Sequence, residues 1–325
     1  MRRRQFIKGI FGVAAAWPSK LHAQQTQLPV IGFVNSSSAR TQVLVAAAYR
    51  RGLEEVGFAE GRNVLIESRW ADGNAERLPE LISELLKRKV AVIMAGGNPA
   101  AYAAKKATST VPIVFTTGDD PVKAGLVDSI NRPSGNLTGV HIFFSELEAK
   151  KLNLIRDLLP QVTTVAALVD PKFTATNPSA ELNEAAQRIG LQIHIINASD
   201  EKELAEAFAS MTDLKIGALV VAASTFFNTK REQIVSLAAQ NRIPAIYESG
   251  MFVVAGGLMS YGTNLPDAYR QAGVYTGRIL KGEKIADLPI FLSTKFEFVI
   301  NSKAAKTLGL TIPHNLLDIA DTVIE

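Results

Sequence analysis

Two adjacent carboxylates, Asp119 and Asp120, follow the apolar run 111–116 after Thr117 and Gly118. Two carboxyl groups with separated pKa values are what a general acid and a general base require. Neighbouring residues in an extended loop point to opposite sides, however, so the pair is poorly placed to act on one substrate. The alternative is binding, in which a carboxylate caps the next helix and accepts a hydrogen bond from a ligand ammonium. Pro121 suits the first turn of such a helix.

Other catalytic and metal-binding patterns are missing from the sequence. It has no cysteine, which excludes disulfides, thiolate metal sites and cysteine nucleophiles. His141, His194 and His314 are far apart and lack the local spacing of zinc ligands. The Gly96-Gly97 pair lacks the spacing of a dinucleotide loop or a P-loop, and no Gly-x-Ser-x-Gly motif occurs. We therefore predict no metal and no cofactor, and not an enzyme.

Residues 1–23 are predicted to be an export signal. Arginines and a lysine precede a short apolar stretch, and Ala23 ends a plausible cleavage site. The run RRQFIK at 3–8 resembles the twin-arginine export pattern, while a general secretory signal is the alternative. The apolar stretch is too short for a membrane span, which needs about 20 residues. Both routes predict a periplasmic protein, and the lack of cysteine excludes a lipid-anchored N-terminus.

The basic character of the chain belongs to this signal. Residues 1–23 hold five of the 35 Lys and Arg residues and none of the 31 Asp and Glu residues, so the remainder has a net charge of −1. A near-neutral chain without a basic run has no electrostatic footprint for phosphate backbones. We therefore expect no nucleic-acid partner.

Strands and helices are predicted to alternate along the chain, and the loops between them carry the candidate residues. Such alternation predicts parallel βαβ units with helices on both faces of a sheet. The first series has predicted strands at 28–34, 63–70, 90–95 and 111–116, and helices at 43–56, 78–88 and 99–107. The second series begins after 131–143. A capping box at Ser145 and Glu148 opens it, and its strands are predicted at 164–169, 191–196, 217–222 and 243–247.

The C-terminal part breaks the alternation and predicts a hinge. A helix at 266–281, an extended stretch at 284–301 and a helix at 302–308 are easiest to place if the chain crosses back between two lobes. The predicted fold is α/β, with two doubly wound parallel lobes joined by a multi-strand hinge. We assign 28–142 with 262–290 to lobe 1, and 143–261 with 291–325 to lobe 2.

In open parallel sheets, ligands bind outside the carboxyl ends of the strands. In lobe 1 this edge carries three small polar loops, each running into a helix start, where free N–H groups favour an anion. The edge of lobe 2 is more aromatic. The alternatives are that the loop residues Ser36 and Asn98 only cap helices, that Phe226 and Tyr247 pack in the core, and that Glu248 is solvated.

Four ordered blocks, at 51–81, 108–140, 243–265 and 288–313, resemble the ABC-transporter substrate-binding proteins, including tryptophan-binding members. The resemblance covers nearly all of 28–325. It implies a type I periplasmic-binding-protein fold, with a small-molecule ligand held between the lobes and delivered to a membrane permease driven by an ATPase. We expect a monomer that is not embedded in the membrane.

The resemblance also implies contact residues on both lobes. In lobe 1 they are Asn35, Ser36, Ser37, Gly97, Asn98, Thr117, Asp119 and Asp120. In lobe 2 they are Asp170, Asn177, Ser224, Phe226, Tyr247 and Tyr261. Asp119 departs from the family pattern, which commonly has a small or polar residue there, and an extra carboxylate suggests a more cationic ligand.

These features favour an exported receptor for an amino acid or a related zwitterion. Helix N-termini and the Ser/Thr/Asn loops would hold its carboxylate, and Asp120, with or without Asp119, would hold its ammonium. An exported hydrolase or lyase that uses the two aspartates is one alternative. A ligand-sensing partner of a membrane receptor is another, whereas a cytoplasmic repressor core is disfavoured by the signal and by the lack of a helix-turn-helix before residue 28.

Overall fold

A computed structural model describes residues 28–142, 147–172 and 178–325. The predicted signal, Ser145 of the capping box and the candidate contact Asn177 lie outside these ranges. Among the described residues, no helix has the length and apolar character needed to cross a membrane.

The first lobe is built on a six-stranded sheet in which every neighbouring pair is parallel. The strand order is β11-β5-β4-β3-β1-β2. Its strands are β1 (Val30–Asn35), β2 (Leu65–Trp70), β3 (Val92–Gly96), β4 (Ile113–Thr117), β5 (Leu137–Ile142) and β11 (Phe291–Ser293). Its helices are α1 (Val43–Glu55), α2 (Leu78–Lys87), α3 (Asn98–Ala107) and α10 (Leu265–Leu280).

The second lobe is built on a seven-stranded sheet with the order β13-β12-β10-β9-β8-β6-β7, in which only β10 and β12 pair antiparallel among the described strands. Its strands are β6 (Thr164–Val169), β7 (Gln192–Asn197), β8 (Ala218–Val221), β9 (Ala245–Tyr247), β10 (Met259–Thr263), β12 (Phe296–Asn301) and β13 (Thr322–Ile324). Its helices are α4 (Glu148–Leu158), α5 (Pro178–Arg188), α6 (Glu201–Asp213), α7 (Thr225–Thr229), α8 (Arg231–Gln240), α9 (Gly250–Val254), α11 (Ser302–Thr307) and α12 (His314–Asp318).

Each sheet carries an apolar cluster on both faces, as a doubly wound sheet requires. Strands such as β3 and β4 are buried along their whole length, which explains their continuous apolar sequences. The predicted α/β fold with two lobes is confirmed. The segment 131–143, to which no strand was assigned from the sequence, contains β5, an interior strand of the first sheet.

The described chain passes between the lobes at three places, which follow β5, β10 and β11. The strand pairing places Gly262 and Thr263 in the second sheet and Phe291–Ser293 in the first. These residues lie on the other side of the predicted lobe boundaries, which fell at 261/262 and 290/291. The two later crossings are therefore at 263–265 and 293–296.

After the second crossing, α10 packs tightly against α1. An ideal Cβ on Gly52 would lie only 1.9 Å from the Arg270 carbonyl oxygen, and one on Gly273 would lie 2.1 Å from that of Tyr49. Glycine at both positions lets the two helix backbones approach closely. The returning chain is thus fixed to the first lobe, and it brings Tyr269 to the edge of that sheet.

Candidate functional site

A polar cleft lies between the two lobes, at the carboxyl ends of β1, β3 and β4. The space between its walls is about 510 Å³ when the open solvent at its mouth is included. The first lobe contributes most of its walls, and α7 of the second lobe covers it. The lining residues are Asn35, Ser37, Gln42, Gly96, Gly97, Asn98, Thr116, Thr117, Gly118, Ile142, Ser224, Thr225, Asn228, Leu265 and Tyr269.

The loop after β1 is held by its own side chains. Asn35 Nδ2 donates to the Tyr269 hydroxyl at 3.0 Å, and Asn35 Oδ1 accepts from the Ser37 N–H at 2.8 Å. Ser36 Oγ accepts from the Ala100 N–H at 3.1 Å in the first turn of α3. Ser36 therefore acts as a helix cap behind the cleft wall, while Asn35 and Ser37 form part of the wall.

The loop after β3 presents a free hydrogen-bond donor. Gly97 has a φ of +90°, a conformation that favours glycine, and it leads directly into Asn98. Asn98 Oδ1 accepts from the Thr117 hydroxyl at 3.0 Å and from the Gly118 N–H at 2.8 Å. Asn98 Nδ2 is buried and has no hydrogen-bond partner. Its position at the start of α3 adds the positive end of the helix dipole, so this wall favours a carboxylate.

The two aspartates of the β4 loop occupy different environments, and neither lines the cleft. Asp120 Oδ1 accepts from the N–H groups of Val122 and Lys123 at 2.9 and 3.0 Å, and these backbone hydrogen bonds lower the Asp120 pKa. The helix predicted to follow Pro121 is instead a turn. Asp120 is thus placed as a cap for this turn and not as a ligand for an ammonium group in the cleft.

Asp119 is buried behind the cleft. The Tyr102 hydroxyl donates to Asp119 Oδ2, and burial raises the Asp119 pKa. His141 lies near both aspartates, and burial lowers its pKa. No serine or cysteine nucleophile accompanies these groups among the hydrogen bonds of the described chain.

In the second lobe, a single serine connects two of the predicted contacts. Ser224 Oγ donates to Asp170 Oδ2 at 2.6 Å and accepts from the Phe226 N–H at 3.0 Å, so it caps α7. This short helix was not predicted, yet it supplies Thr225 and Asn228 to the cleft. Asp170 and Phe226 line a neighbouring groove instead of the cleft itself.

The two predicted tyrosine contacts do not reach the cleft, and the prediction that they line it is corrected. Tyr247 is 1% exposed and stacks on Phe252 in the core, with ring centroids 4.8 Å apart. Tyr261 packs against Phe296 and Phe298 of the antiparallel strand. Both tyrosines therefore fill the interior of the second lobe.

A buried charged cluster adjoins the cleft, and no local sequence pattern predicted it. Glu248, which was expected to be solvated, is only 3% exposed, and its Oε1 accepts from Asn228 Nδ2 at 2.8 Å. Burial raises the Glu248 pKa to about 7, and the nearby Lys151 partly opposes this. Lys151 Nζ pairs with Glu148 Oε1 at 2.6 Å, and both side chains are also buried. We call Glu148, Lys151, Asn228 and Glu248 the acidic cluster.

The two lobes touch beside the cleft. Arg231 Nη1 donates to the Thr41 carbonyl oxygen at 2.5 Å, and Arg40 pairs with Glu232. These contacts join α8 to the loop before α1. The described arrangement is therefore one in which the lobes are closed over the cleft.

Solved structures of similar proteins include both a ligand complex and a ligand-free, open form. The chain matches an ABC domain from Streptococcus pneumonia in complex with L-Trp, with a TM-score of 0.82 and 26% identity over 92% of this chain and 100% of that one. It matches the ligand-free, open structure of a substrate-binding protein from Clostridium difficile less well, with a TM-score of 0.64 and 25% identity over 91% and 99%. The identities are nearly equal, and the structure of this chain is more similar to the L-Trp complex than to the ligand-free, open structure.

The sequence comparisons agree with the fold. A tyrosine-binding protein of Clostridioides difficile (strain R20291) is 26% identical over 261 residues, which is 80% of this chain and 75% of the relative. Residues 29–324 match the family described as ABC transporter substrate binding protein. This is a family of binding proteins and not of enzymes, so the hydrolase or lyase alternative is excluded. The chain belongs to the ABC transporter substrate-binding protein family.

Proposed function

We propose that the protein is exported, binds an L-amino acid between its lobes and delivers it to a membrane permease driven by an ATPase. Tyrosine and tryptophan are the first candidates, because relatives are a tyrosine-binding protein and a domain in complex with L-Trp. The twin-arginine-like signal supports release into the periplasm after cleavage near Ala23. We propose that it acts there as a monomer.

The observation that carries this proposal is the Asn98 side chain. A buried amide donor without a partner costs about 1–3 kcal/mol, and a ligand acceptor in the cleft would remove that cost. The Asn98 amide and the start of α3 together suit the carboxylate of an amino acid. Ile142 and Leu265 are the apolar side chains of the cleft wall, and they are available to the ligand's own side chain.

The test is isothermal titration of the mature chain, residues 24–325, with each of the twenty L-amino acids. At least one is expected to bind, and mass spectrometry should recover it chemically unchanged. A protein that binds none of the twenty contradicts the proposal.

Asn98→Asp tests the carboxylate site. Aspartate keeps the acceptor for Thr117 and Gly118 but replaces the amide donor with a negative charge. The loss of a hydrogen bond to a charged group, about 1.5–3 kcal/mol, predicts affinity lower by at least about tenfold. Asn183→Ala, on the exposed face of α5, is the control and should bind as the wild type does. Equal affinities for Asn98→Asp and the wild type would contradict this role.

A further inference from the structure

The acidic cluster holds three buried hydrogen-bond acceptors that lack a partner. Glu148 Oε2, Glu248 Oε2 and Asn228 Oδ1 are all buried, and none of these three atoms has a hydrogen-bond partner. Glu148 and Glu248 are each only 3% exposed. Their other carboxylate oxygens are already occupied, by Lys151 and by Asn228 respectively. The atoms that remain require a donor.

Asn228 connects this cluster to the cleft. It lines the cleft on α7, and its Nδ2 group is occupied by Glu248 Oε1 and by the Ser224 carbonyl oxygen, at 2.8 and 3.2 Å. These two hydrogen bonds fix the amide so that Oδ1 is the atom left over. A donor in the cleft would therefore meet Asn228 Oδ1 first, with the Glu248 carboxylate directly behind it.

The two walls of the cleft are thus complementary in sign. The first lobe offers a free donor at Asn98, whereas the second lobe offers a free acceptor at Asn228, which is backed by the buried carboxylate of Glu248. An α-amino acid has an acceptor group and a three-donor ammonium on the same carbon atom. Asp119 and Asp120 do not compete for the ammonium, since neither lines the cleft.

We infer that the acidic cluster is the subsite for the ligand's ammonium group, which donates to Asn228 Oδ1 and is neutralised by Glu248. This inference rests on the proposed function and assigns an orientation to the ligand: carboxylate on the first lobe, ammonium on the second. In this arrangement the acidic cluster, and not Asp119 or Asp120, supplies the negative charge that faces the ammonium.

The ionisation of Glu248 gives this subsite a measurable signature. The charged groups that act on Glu248 are Lys151 and Glu148 of α4 and Arg231 of α8, and burial holds its pKa at about 7. A bound ammonium favours the ionised carboxylate, so binding at neutral pH releases protons from Glu248. Affinity should accordingly rise with pH between about 6 and 7.5.

The experiment compares L-tyrosine and L-tryptophan with 3-(4-hydroxyphenyl)propionate and indole-3-propionate, which lack the amino group. Glu248→Gln keeps the acceptor for Asn228 but removes the charge. We expect it to weaken amino-acid binding at least tenfold, while binding of the deamino acids changes less than twofold. In the wild type, but not in Glu248→Gln, the binding heat at pH 7 should vary with the ionisation enthalpy of the buffer.

Glu297→Gln is the control, because Glu297 is partly buried and, like Glu248, accepts from an asparagine amide, that of Asn264. It lies beside the third crossing and outside the cleft, so both kinds of ligand should bind to it as to the wild type. If the wild type binds an amino acid and Glu248→Gln binds it equally well, this inference fails and the proposed function stands. If the wild type binds neither amino acid, both fail.

Discussion

Glu248→Gln should change how the stability of the ligand-free protein depends on pH. Burial raises the Glu248 pKa from 4.5 to about 7. A group whose pKa is raised in the folded state contributes stability that is fully present below the unfolded pKa and lost as pH rises through the folded pKa. A difference of one pKa unit is worth 1.36 kcal/mol, so the whole effect is about 3 kcal/mol.

The pH range in which this effect can be measured runs from the unfolded pKa of Glu248, 4.5, to just above its folded pKa of about 7. By pH 5 the wild type has lost about 1 kcal/mol from this group, and by pH 8 about 3 kcal/mol. Glutamine at position 248 does not ionise and keeps its acceptor for Asn228. The free energy of unfolding of Glu248→Gln, relative to the wild type, should therefore increase by about 2 kcal/mol between pH 5 and pH 8.

The assay is urea denaturation of the mature chain at pH 5, 6, 7 and 8. Far-ultraviolet circular dichroism reports both lobes, whereas Trp70, the only tryptophan in residues 24–325, reports the first lobe. The pH-dependent difference should appear in the circular dichroism transition, because Glu248 belongs to the second lobe.

Glu283→Gln should change the stability in the opposite direction as pH rises. The Arg278 guanidinium donates to Glu283 and lowers its pKa, so this substitution should reduce stability slightly at neutral pH, by an amount that fades in acid. If the stability difference between Glu248→Gln and the wild type were the same at pH 5 and pH 8, Glu248 would not have a raised pKa, and the burial argument would be refuted.

Two further substitutions test other parts of the structure. Asp120→Ala removes the cap of the turn that follows β4, so it should cost about 1 kcal/mol in urea denaturation and leave amino-acid affinity unchanged; a large loss of affinity would return Asp120 to the binding site. Arg231→Gln removes the guanidinium donor to Thr41 and should weaken ligand binding severalfold in calorimetry by disfavouring the closed lobes. Small-angle scattering should then show more open protein at a subsaturating ligand concentration, and unchanged scattering and affinity would show that this contact does not hold the lobes together.

Most of the fold was predictable because its signals are local. Continuous apolar strands and amphipathic helices alternate, and that pattern is typical of parallel sheets covered on both faces. β5 was missed because LTGVHI mixes Thr, Gly and His with apolar residues, although every one of its residues is buried. α7 was missed because five residues are too few to show a helical period.

The site was less predictable because burial of a polar side chain depends on distant parts of the chain. Asn35, Ser37 and Asn98 line the cleft, as was predicted from their positions at the carboxyl ends of strands. Ligands of parallel sheets bind at this edge, so the prediction needs only the strands and their direction. Glu248 gave no such signal. Its burial comes from α4 and α7, which lie far from it in sequence, and no local pattern around residue 248 records them.

The division of free donors and acceptors between the lobes bears on how a ligand closes the protein. A ligand shifts the lobes toward the closed state only by its difference in affinity for the two states, and equal affinity shifts nothing. A deamino acid would satisfy Asn98 alone, and the first lobe presents that amide whether the lobes are open or closed. An amino acid bound as proposed also needs Asn228 on the second lobe, and it reaches both only when the lobes meet. Its amino group would therefore contribute to closure as well as to affinity, because the second half of the site exists for the ligand only in the closed protein.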